Sequence, residues 1–378
     1  MARNGFRILD CDLHVMEPPD LWQRYTDEKY RHLAPVGLTA NGRDLRTAHP
    51  DGRPWGMPDI RFEQLSTGKA FALGSKRYEP YAAQGWSAAS QIQAMDAEGI
   101  DVAILYPSRG LHTLAEPNMD PPLAAALARA YNDWLADFCA HDPHRLIGVA
   151  MVSPFDIADA VAEARRAVRE LGFRGIFLRS NIVNGRGWHD AYYDPLWGAL
   201  VELDVPVGFH EAATSGAPQV GDQFGTDFGL RHAYAFPLEQ MMAIGAMTWG
   251  GVCARHPNLR IAFLEGNCGW LPWMLWRLDE RWELLGDVYS KETTMKPSEY
   301  FKRQCWASVD CEEVSVKYAI DYFGKSDNII FSTDYPHIDA QFPHSSDEFL
   351  TLPISDADKK KILWDNCASF YGAAVAVG

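Results

Sequence analysis

Short apolar runs alternate along the chain with longer segments in which apolar residues recur at helical spacing. Such runs are typical of buried strands, and the longer segments are typical of amphipathic helices that cover a sheet. Eight strands are predicted, at residues 6–9, 102–105, 146–152, 175–178, 205–209, 259–264, 306–309 and 329–331. A helix is predicted after each strand, most clearly at 120–138, 156–171, 237–253, 271–285 and 312–323. Eight such units predict an α/β fold of the (β/α)₈ TIM-barrel type. An open doubly wound sheet is the alternative, but it would usually carry a glycine-rich loop after its first strand.

The segment at 17–86 lacks this periodicity. It is rich in proline, glycine, arginine and aromatic residues, and loops of this length are usually functional. We therefore predict a lid-like insertion after the first strand of a single domain that spans residues 1–378. Its aromatic side chains either contact an apolar or aromatic ligand or anchor the loop to the barrel. They are Trp22, Tyr25, Trp55, Phe62, Phe71, Tyr78, Tyr81 and Trp86.

Composition and charge narrow the range of partners. The 35 basic and 50 acidic residues give a formal net charge of −15, which disfavours nucleic acid and anionic membranes as partners. The seven cysteines form no Cys-x-x-Cys pair, and no apolar run reaches the roughly 18 residues of a membrane span. We therefore predict a cytoplasmic protein with reduced thiols that acts on a small molecule and has no nucleic-acid or membrane partner.

Polar side chains follow several of the predicted strands. In a parallel barrel the C-terminal ends of the strands meet at one mouth, where catalytic residues collect. These positions hold Asp12, His14, Arg179, His210, Glu265 and Asp334. Two imidazoles and three carboxylates at one mouth would bind a hard or borderline divalent metal. Each residue alone has an ordinary structural explanation, as a turn cap or a hydrogen-bonded core residue, so the prediction depends on their joint placement.

Three motifs resemble the amidohydrolase-related (amidohydrolase-2) family. They are Asp10-Cys-Asp12-Leu-His14, Gly208-Phe-His210-Glu and Ser332-Thr-Asp334-Tyr-Pro336-His337. The branch of the family that they resemble includes aminocarboxymuconate-semialdehyde decarboxylase and the aromatic-acid decarboxylases. The resemblance implies a (β/α)₈ barrel with one divalent metal ion per chain, and a homodimer or larger homo-oligomer.

The resemblance also implies roles for individual residues. Asp12 and His14 match the metal-binding pair of the first strand, where the family often has two histidines. His210 matches the metal-binding histidine of strand 5, and Asp334 matches the strand-8 aspartate that contacts the metal and transfers protons. Glu265 stands where the family usually has histidine, so it either binds the metal or acts as an acid or base. Zinc is the ion we expect, with Mn²⁺ and Fe²⁺ as alternatives, because a carboxylate-rich set could favour a harder ion.

Two further residues complete the candidate catalytic set of Arg179, His232, Glu265 and Asp334. Arg179 either binds a substrate carboxylate or forms a salt bridge at the barrel rim. His232, in the segment after the fifth strand, could polarise a substrate group.

One such site supports two reactions. In a hydrolase acting on a small aromatic or cyclic substrate, Asp334 takes a proton from a metal-activated water that then attacks. In a non-oxidative decarboxylase of a hydroxylated aromatic or muconate-like acid, Asp334 moves a proton to or from the substrate carbon. We favour the hydrolase, because Glu265 leaves the decarboxylase pattern incomplete. A non-catalytic barrel with a degenerate site is the remote alternative.

Overall fold

The apolar runs form the strands of a parallel barrel. The computed structural model of the chain describes residues 3–38, 46–56, 69–337, 339–372 and 375. Within these residues the barrel strands are β1 (Leu9–His14), β2 (Val102–Tyr106), β3 (Leu146–Gly148 and Ala150–Met151), β4 (Ile176–Arg179), β5 (Val207–His210), β6 (Ile261–Leu264), β7 (Cys305–Val309) and β8 (Ile329–Phe331). The predicted (β/α)₈ class is confirmed.

Strand pairing follows the order of the chain. β1 pairs with β2, and β2 pairs with the first segment of β3, all in parallel. The second segment of β3 pairs with β4, and parallel pairing continues through β5, β6 and β7 to β8. β8 returns to β1 at the mouth, where the His14 N–H donates to the Tyr335 carbonyl at 2.7 Å. The strands therefore present their C-terminal ends at one mouth.

Side chains pack on both faces of the barrel strands, as a parallel barrel covered by helices requires. On the outer face, Phe209 of β5 and Phe263 of β6 stack with ring centroids 5.9 Å apart, and Phe263 also stacks on Phe301 of a covering helix. Gly208 leaves room for the hydroxyl of Tyr106, because a Cβ atom at that position would lie 2.1 Å from it. Tyr106 can therefore reach across the barrel and stack against His210, with ring centroids 5.8 Å apart.

Helices cover the outside of the barrel. The longer ones are Lys69–Ala82, Ala88–Glu98, Pro121–Cys139, Ile157–Arg169, Asp194–Leu203, Phe228–Thr248, Leu271–Tyr289, Pro297–Gln304 and Val316–Phe323. The shorter ones are Leu21–Tyr25, Glu28–Arg31, Gly110–Thr113, Val252–Arg255, Ser345–Thr351, Asp356–Lys360 and Asn366–Tyr371, with 3₁₀ turns at Ala191–Tyr193 and Asp222–Phe224 and a π-helical turn at Lys361–Asp365. No helix among the described residues is long and apolar enough to cross a membrane.

Several predicted boundaries are wrong, and two of them have a clear cause. The first strand continues through the polar residues to His14, because the side chain of Asp10 finds hydrogen-bond donors inside the barrel. The helix predicted to begin at Pro237 begins at Phe228 instead. Asp227 caps it by accepting from the Leu230 N–H at 3.0 Å, so Pro237 lies inside the helix, which loses one backbone hydrogen bond there.

The predicted insertion contains more secondary structure than its sequence pattern indicates. The short strands Val36–Gly37, Thr47–Ala48 and Pro54–Trp55 form an antiparallel sheet, and the helix Lys69–Ala82 follows. Tyr78 on this helix is buried and packs on Tyr335 and Phe342, with centroids 5.5 and 5.4 Å away. That contact matches the anchoring alternative for the aromatic residues. Phe62 and the side chain of Phe71 lie outside the described residues.

Candidate metal centre

The strand ends bring two imidazoles and three carboxylates together. The Nε2 atom of His14 lies 3.6 Å from Asp12 Oδ1 and 3.3 Å from Asp334 Oδ1. The Nε2 atom of His210 lies 3.4 Å from Asp12 Oδ2 and 3.0 Å from Glu265 Oε2. The structure therefore places Asp12, His14, His210, Glu265 and Asp334, the full set of predicted metal ligands, around one point.

The atoms that face one another have no hydrogen-bond partner among the described residues. They are both carboxylate oxygens of Asp12, Nε2 of His14, Nε2 of His210, Oε2 of Glu265 and Oδ2 of Asp334. Buried polar atoms are nearly always hydrogen-bonded, so a converging set of unsatisfied nitrogen and oxygen atoms needs an explanation. Carboxylate oxygen and imidazole nitrogen are also the ligands that divalent metals prefer. These residues therefore fit a divalent metal ion.

Backbone carbonyls orient both histidines. His14 Nδ1 lies 2.7 Å from the Pro107 carbonyl, and His210 Nδ1 lies 2.6 Å from the Glu211 carbonyl. A carbonyl can only accept, so each Nδ1 carries the hydrogen, and in its neutral form each ring directs the lone pair of Nε2 toward the cluster. This is the arrangement that protein ligands to metals commonly have.

The cluster perturbs the protonation of both histidines. Burial alone would lower the pKa of His14, but Asp334 and Asp12 raise it to about 9. Burial and the neighbouring charge of His14 hold the pKa of His210 well below its usual value. Metal ligation requires both imidazoles to be neutral, so a bound cation would displace the proton of His14.

The carboxylates repel one another. Burial, and then repulsion from Asp334, raises the pKa of Asp12 well above its usual value. Burial raises the pKa of Glu265 in the same way, with Asp334 and Asp339 adding to the effect. In the absence of a cation, Asp12 and Glu265 therefore favour their protonated forms, and a cation would stabilise their charged forms.

Two of the clustered carboxylates stand on left-handed backbone. The φ angle is 49° at Glu265 and 56° at Asp334, a conformation that is costly for residues other than glycine. Serine hydroxyls hold both positions: the Glu265 N–H donates to Ser308 Oγ at 2.8 Å, and the Asp334 N–H donates to Ser332 Oγ at 3.2 Å. Ser308 on the neighbouring strand β7 and Ser332 at the end of β8 thus fix the two carboxylates at the mouth.

A histidine–aspartate pair adjoins the cluster. His337 Nδ1 lies 2.7 Å from Asp334 Oδ1, and His337 Nε2 lies 3.0 Å from Ser108 Oγ. The imidazole also packs on His14, with ring centroids 4.0 Å apart. Burial would raise the pKa of Asp334, but His337 and His14 hold it well below its usual value. The pair can therefore hold and transfer one proton.

Arg179 lies apart from this cluster. It is buried and forms an ion pair with Glu211. Its Nε donates to Asn181 Oδ1 at 2.8 Å, and its Nη1 donates to the Leu111 carbonyl at 2.7 Å. This geometry matches the salt-bridge alternative for Arg179. By binding Glu211, Arg179 also stabilises the residue whose carbonyl orients His210.

His232 lies near Glu265, but outside the group that contains His14 and Asp334. His232, Glu265 and Asp339 form a group whose ligand atoms lie within 4.8 Å of one another. Burial lowers the pKa of His232. The sequence analysis missed Asp339, which comes five residues after Asp334 in the segment that follows β8. Asp339 does not end a strand, so the only sequence feature that could have indicated it is its place soon after Asp334.

A cavity of about 620 Å³ opens above Glu265 and Asp334. This volume suits a small organic molecule. Six of its lining residues are acidic: Glu265, Asp310, Glu312, Glu313, Asp334 and Asp339. Arg77, on the helix Lys69–Ala82, is the one basic residue among the described lining residues. The sequence analysis did not single out Arg77, which lies in a segment without a readable pattern.

Comparison with known proteins covers nearly the whole chain. The family model described as amidohydrolase matches residues 9–373. The chain belongs to the amidohydrolase family. The gamma-resorcylate decarboxylase of Rhizobium radiobacter is 32% identical over 285 residues, which are 72% of this chain and 83% of that protein. The 2-amino-3-carboxymuconate-6-semialdehyde decarboxylase of Dictyostelium discoideum is 26% identical, over 76% of this chain and 77% of that protein.

A solved structure extends the comparison to the fold. The 5-carboxyvanillate decarboxylase of Novosphingobium aromaticivorans, complexed with manganese and 4-hydroxy-3-methoxy-5-nitrobenzoic acid, superposes with a TM-score of 0.70 and 25% identity. The superposition covers 98% of this chain and 97% of that one. The predicted membership of the branch with these decarboxylases is therefore confirmed.

The preference for a hydrolase is wrong. Relatives that match most of this chain are decarboxylases, among them the gamma-resorcylate and aminocarboxymuconate-semialdehyde enzymes. The preference rested on Glu265, which departs from the usual histidine. Glu265 nevertheless faces the metal-binding atoms, because its Oε2 lies 3.0 Å from His210 Nε2.

Proposed function

We propose that this amidohydrolase-family enzyme is a metal-dependent decarboxylase of a hydroxylated aromatic carboxylic acid. The observation that carries the proposal is the set of buried, unsatisfied nitrogen and oxygen atoms beside the Asp334–His337 pair, at the floor of a cavity of about 620 Å³. The 32% identity to gamma-resorcylate decarboxylase supports decarboxylation as the reaction. The cavity volume supports a substrate with a single ring.

Asp12, His14, His210 and Asp334 would hold the metal ion, with Glu265 in reach of it. We propose Mn²⁺ in place of the zinc expected from the sequence, because three carboxylates suit a harder ion. The manganese bound to the similar 5-carboxyvanillate decarboxylase supports this choice. When bound, the ion supplies positive charge that attracts the carboxylate and hydroxyl oxygens of the substrate.

The chain's own residues supply the proton that the reaction consumes. Decarboxylation breaks the bond between the ring carbon and the carboxyl carbon, releases CO₂ and leaves a proton on the ring carbon. A ring hydroxyl assists, because it donates electron density to the ring while the carbon accepts the proton. We propose that the Asp334–His337 pair delivers this proton: His337, 2.7 Å from Asp334, holds it, Asp334 relays it to the ring carbon, and solvent then restores it to His337.

We propose that Arg77 binds an anionic group of the substrate. Its helix, Lys69–Ala82, contributes Leu73, Gly74 and Arg77 to the cavity that contains Asp334. The guanidinium donates to the Ala340 carbonyl at 2.9 Å, which directs it toward the segment after β8. A planar guanidinium suits a carboxylate, and this helix would act as part of the lid predicted for residues 17–86.

We propose that two copies of the chain associate through the helix Leu271–Tyr289. Six of its large apolar side chains are exposed, including Trp273 (57%), Trp276 (53%) and Tyr289 (72%). Exposed apolar patches of this kind commonly mark protein interfaces.

A cytoplasmic location agrees with the seven cysteines, which are all free and buried.

Product analysis in D₂O tests the reaction. The Mn²⁺-loaded protein is incubated with gamma-resorcylate, and the products are identified by mass spectrometry and NMR. We expect CO₂ and resorcinol with one deuterium at the carbon that carried the carboxylate. Absence of CO₂ from gamma-resorcylate and from a panel of mono- and dihydroxybenzoates, with metal bound, would overturn the proposal.

A further inference from the structure

A second cavity, of about 800 Å³, is separate from the metal centre. It opens between the helix Phe228–Thr248, the segment after β4 and the residues that follow the helix Leu271–Tyr289. The described lining residues of this cavity and of the cavity above Glu265 have no member in common. The proposed reaction therefore does not use it, although its volume suits a small organic molecule.

A buried carboxylate lines this cavity. Glu239 is 3% exposed, and its Oε1 accepts from the Val220 N–H at 2.6 Å. Its Oε2 has no hydrogen bond, and the side chain has no ion pair, among the described residues. Glu239 also lines an adjoining cavity of about 980 Å³, so the carboxylate stands where two cavities meet. A buried carboxylate is costly unless a cation accompanies it.

The neighbouring basic residues do not neutralise Glu239. Arg179 is paired with Glu211, and the negative charge of Glu211 acts on Glu239 more strongly than the positive charge of Arg179. Burial, and then Glu211, accordingly raises the pKa of Glu239 to about 7. His189 and Lys291 also line the cavity, but both are exposed, and neither pairs with Glu239 in the part of the chain that the structure describes. A cationic ligand would supply the missing charge.

A second polar group of the cavity lacks a partner. Ser180 is 3% exposed, and its Oγ has no hydrogen-bond partner among the described residues. Its backbone carbonyl accepts from Trp188 Nε1 at 3.0 Å, which fixes the residue at the end of β4. Buried hydroxyls are nearly always hydrogen-bonded. An ammonium or guanidinium group has enough N–H donors for both Glu239 and Ser180.

Apolar and aromatic side chains form much of the remaining wall. They include Trp188, Met242, Ala246, Trp249, Val288 and Tyr289. Met242 is 52% exposed, Val288 55% and Tyr289 72%, so this wall presents apolar surface to solvent. The face of a tryptophan or tyrosine attracts a cation and also packs against another ring. The wall therefore suits a ligand whose cationic group is attached to an apolar or aromatic body.

We propose that this cavity binds a small organic cation, with its ammonium or guanidinium group on Glu239 and Ser180 and its apolar body on the aromatic wall. The site is independent of the metal ion and of the substrate of the proposed function. Trp273 and Trp276, in the proposed interface between copies, lie about 20 Å from Tyr289 along the helix axis. That interface and this ligand are therefore compatible.

Calorimetric titration with 2-phenylethylamine tests the proposal. The sample is the Mn²⁺-loaded full-length protein, because a metal-free centre could bind the amine itself. We expect saturable binding of one amine per chain with a Kd below about 1 mM. 2-Phenylethanol has the same ring and chain length without the charge, and it should bind at least about tenfold more weakly.

Three variants locate the amine. Glu239→Gln removes the charge but keeps the acceptor for the Val220 N–H, so binding should weaken at least about tenfold. Ala246→Phe, on the wall, should weaken binding as much by filling the cavity. Glu312→Gln is the matched control, because it removes an acid from the cavity above the metal centre, and it should bind the amine as the wild type does. Circular dichroism of each variant confirms that it is folded.

The outcomes separate this site from the metal centre. No saturable binding of 2-phenylethylamine up to about 10 mM, or equally tight binding of 2-phenylethanol, would overturn the proposal. An unchanged Kd in both Glu239→Gln and Ala246→Phe would also overturn it. Loss of binding in Glu312→Gln, or displacement of the amine by gamma-resorcylate, would place the amine at the metal centre instead. Failure of decarboxylation with these binding results intact would overturn the proposed function alone.

Discussion

Asp334 combines three properties at one carboxylate. It faces His14 at 3.3 Å, contacts His337 at 2.7 Å and lines the cavity. Its left-handed backbone, with φ of 56°, is held by Ser332. A residue kept in a costly conformation by its neighbours is typical of a functional position. The side chain is therefore placed both to hold a cation and to transfer a proton.

Replacing Asp334 with asparagine tests the proton-transfer role. The amide keeps the shape of the side chain but cannot carry the proton, so we expect kcat for CO₂ release to fall by about 10²–10⁴-fold. The fold should persist, as measured by circular dichroism. Glu312→Gln, in the same cavity, should retain kcat within a few-fold. Near-wild-type turnover by the Asp334→Asn variant would remove Asp334 from the reaction.

Single residues show what the sequence could predict. Asp12, His14, His210, Glu265 and Asp334 follow or end strands, and the structure brings them together. Arg179 also follows a strand, yet Glu211 engages it, because a buried guanidinium needs a nearby carboxylate. A polar residue at a strand end faces either the mouth or a neighbouring segment, depending on its side-chain partners. The periodicity of the strands does not reveal those partners.

At the scale of elements, the strands were easier to predict than the connections. β8 coincides with its predicted span, because three apolar residues end in a distinct polar motif. The helix Lys69–Ala82 was not predicted, since its apolar residues follow no clear stripe and Pro80 lies inside it. This helix packs on the rest of the protein through Tyr78, which contacts the segment after β8. Such a contact cannot be read from the local sequence pattern.

The helix Lys69–Ala82 should affect substrate binding more than turnover. Arg77→Ala removes the basic lining residue, so we expect KM for the aromatic acid to rise about tenfold with kcat changed less than about twofold. Lys76→Ala, exposed on the same helix, is the matched control and should leave both constants unchanged. Equal effects of the two variants would show that Arg77 does not contact the substrate.

The helix Ala88–Glu98 carries a buried acid that makes stability depend on pH. Glu98 is 1% exposed, and its Oε1 accepts from the Ser346 N–H at 2.7 Å. Burial raises its pKa to about 7. The folded state thus holds a proton that the unfolded state releases near pH 4.3. The contribution of Glu98 to folding is therefore most favourable at low pH and becomes less favourable as pH rises to 7.

Replacing Glu98 with glutamine should remove this dependence. The free energy of unfolding should exceed that of the wild type by up to about 3 kcal/mol at pH 8, and by little at pH 4.5. Urea unfolding at both pH values measures the difference. Glu28→Gln, at an exposed position, should have no effect. A Glu98→Gln difference that is the same at both pH values would exclude the buried charge as the cause.

For the whole molecule, the order of units was enough to predict the barrel. Eight apolar runs separated by amphipathic segments define a (β/α)₈ fold. The reaction did not follow from that order, because hydrolysis and decarboxylation use the same strand-end residues. The similarity to named decarboxylases corrected the preference for a hydrolase, which had rested on Glu265.

The exposed face of the helix Leu271–Tyr289 predicts self-association. Sedimentation velocity should show a dimer for the wild type. The double variant Trp273→Glu, Trp276→Glu should be a monomer with unchanged circular dichroism, because two charges would have to be buried at the interface. A monomeric wild type at all concentrations, or a dimeric double variant, would refute this interface.

Metal dependence of CO₂ release tests the central claim most directly. The rate with gamma-resorcylate is measured for metal-stripped protein and for the same preparation reconstituted with Mn²⁺. We expect activity to fall at least about 100-fold on stripping and to return on reconstitution, since the buried ligand atoms would then regain their ion. Equal rates before and after stripping, or no CO₂ from any hydroxybenzoate by the reconstituted protein, would contradict a metal-dependent decarboxylase.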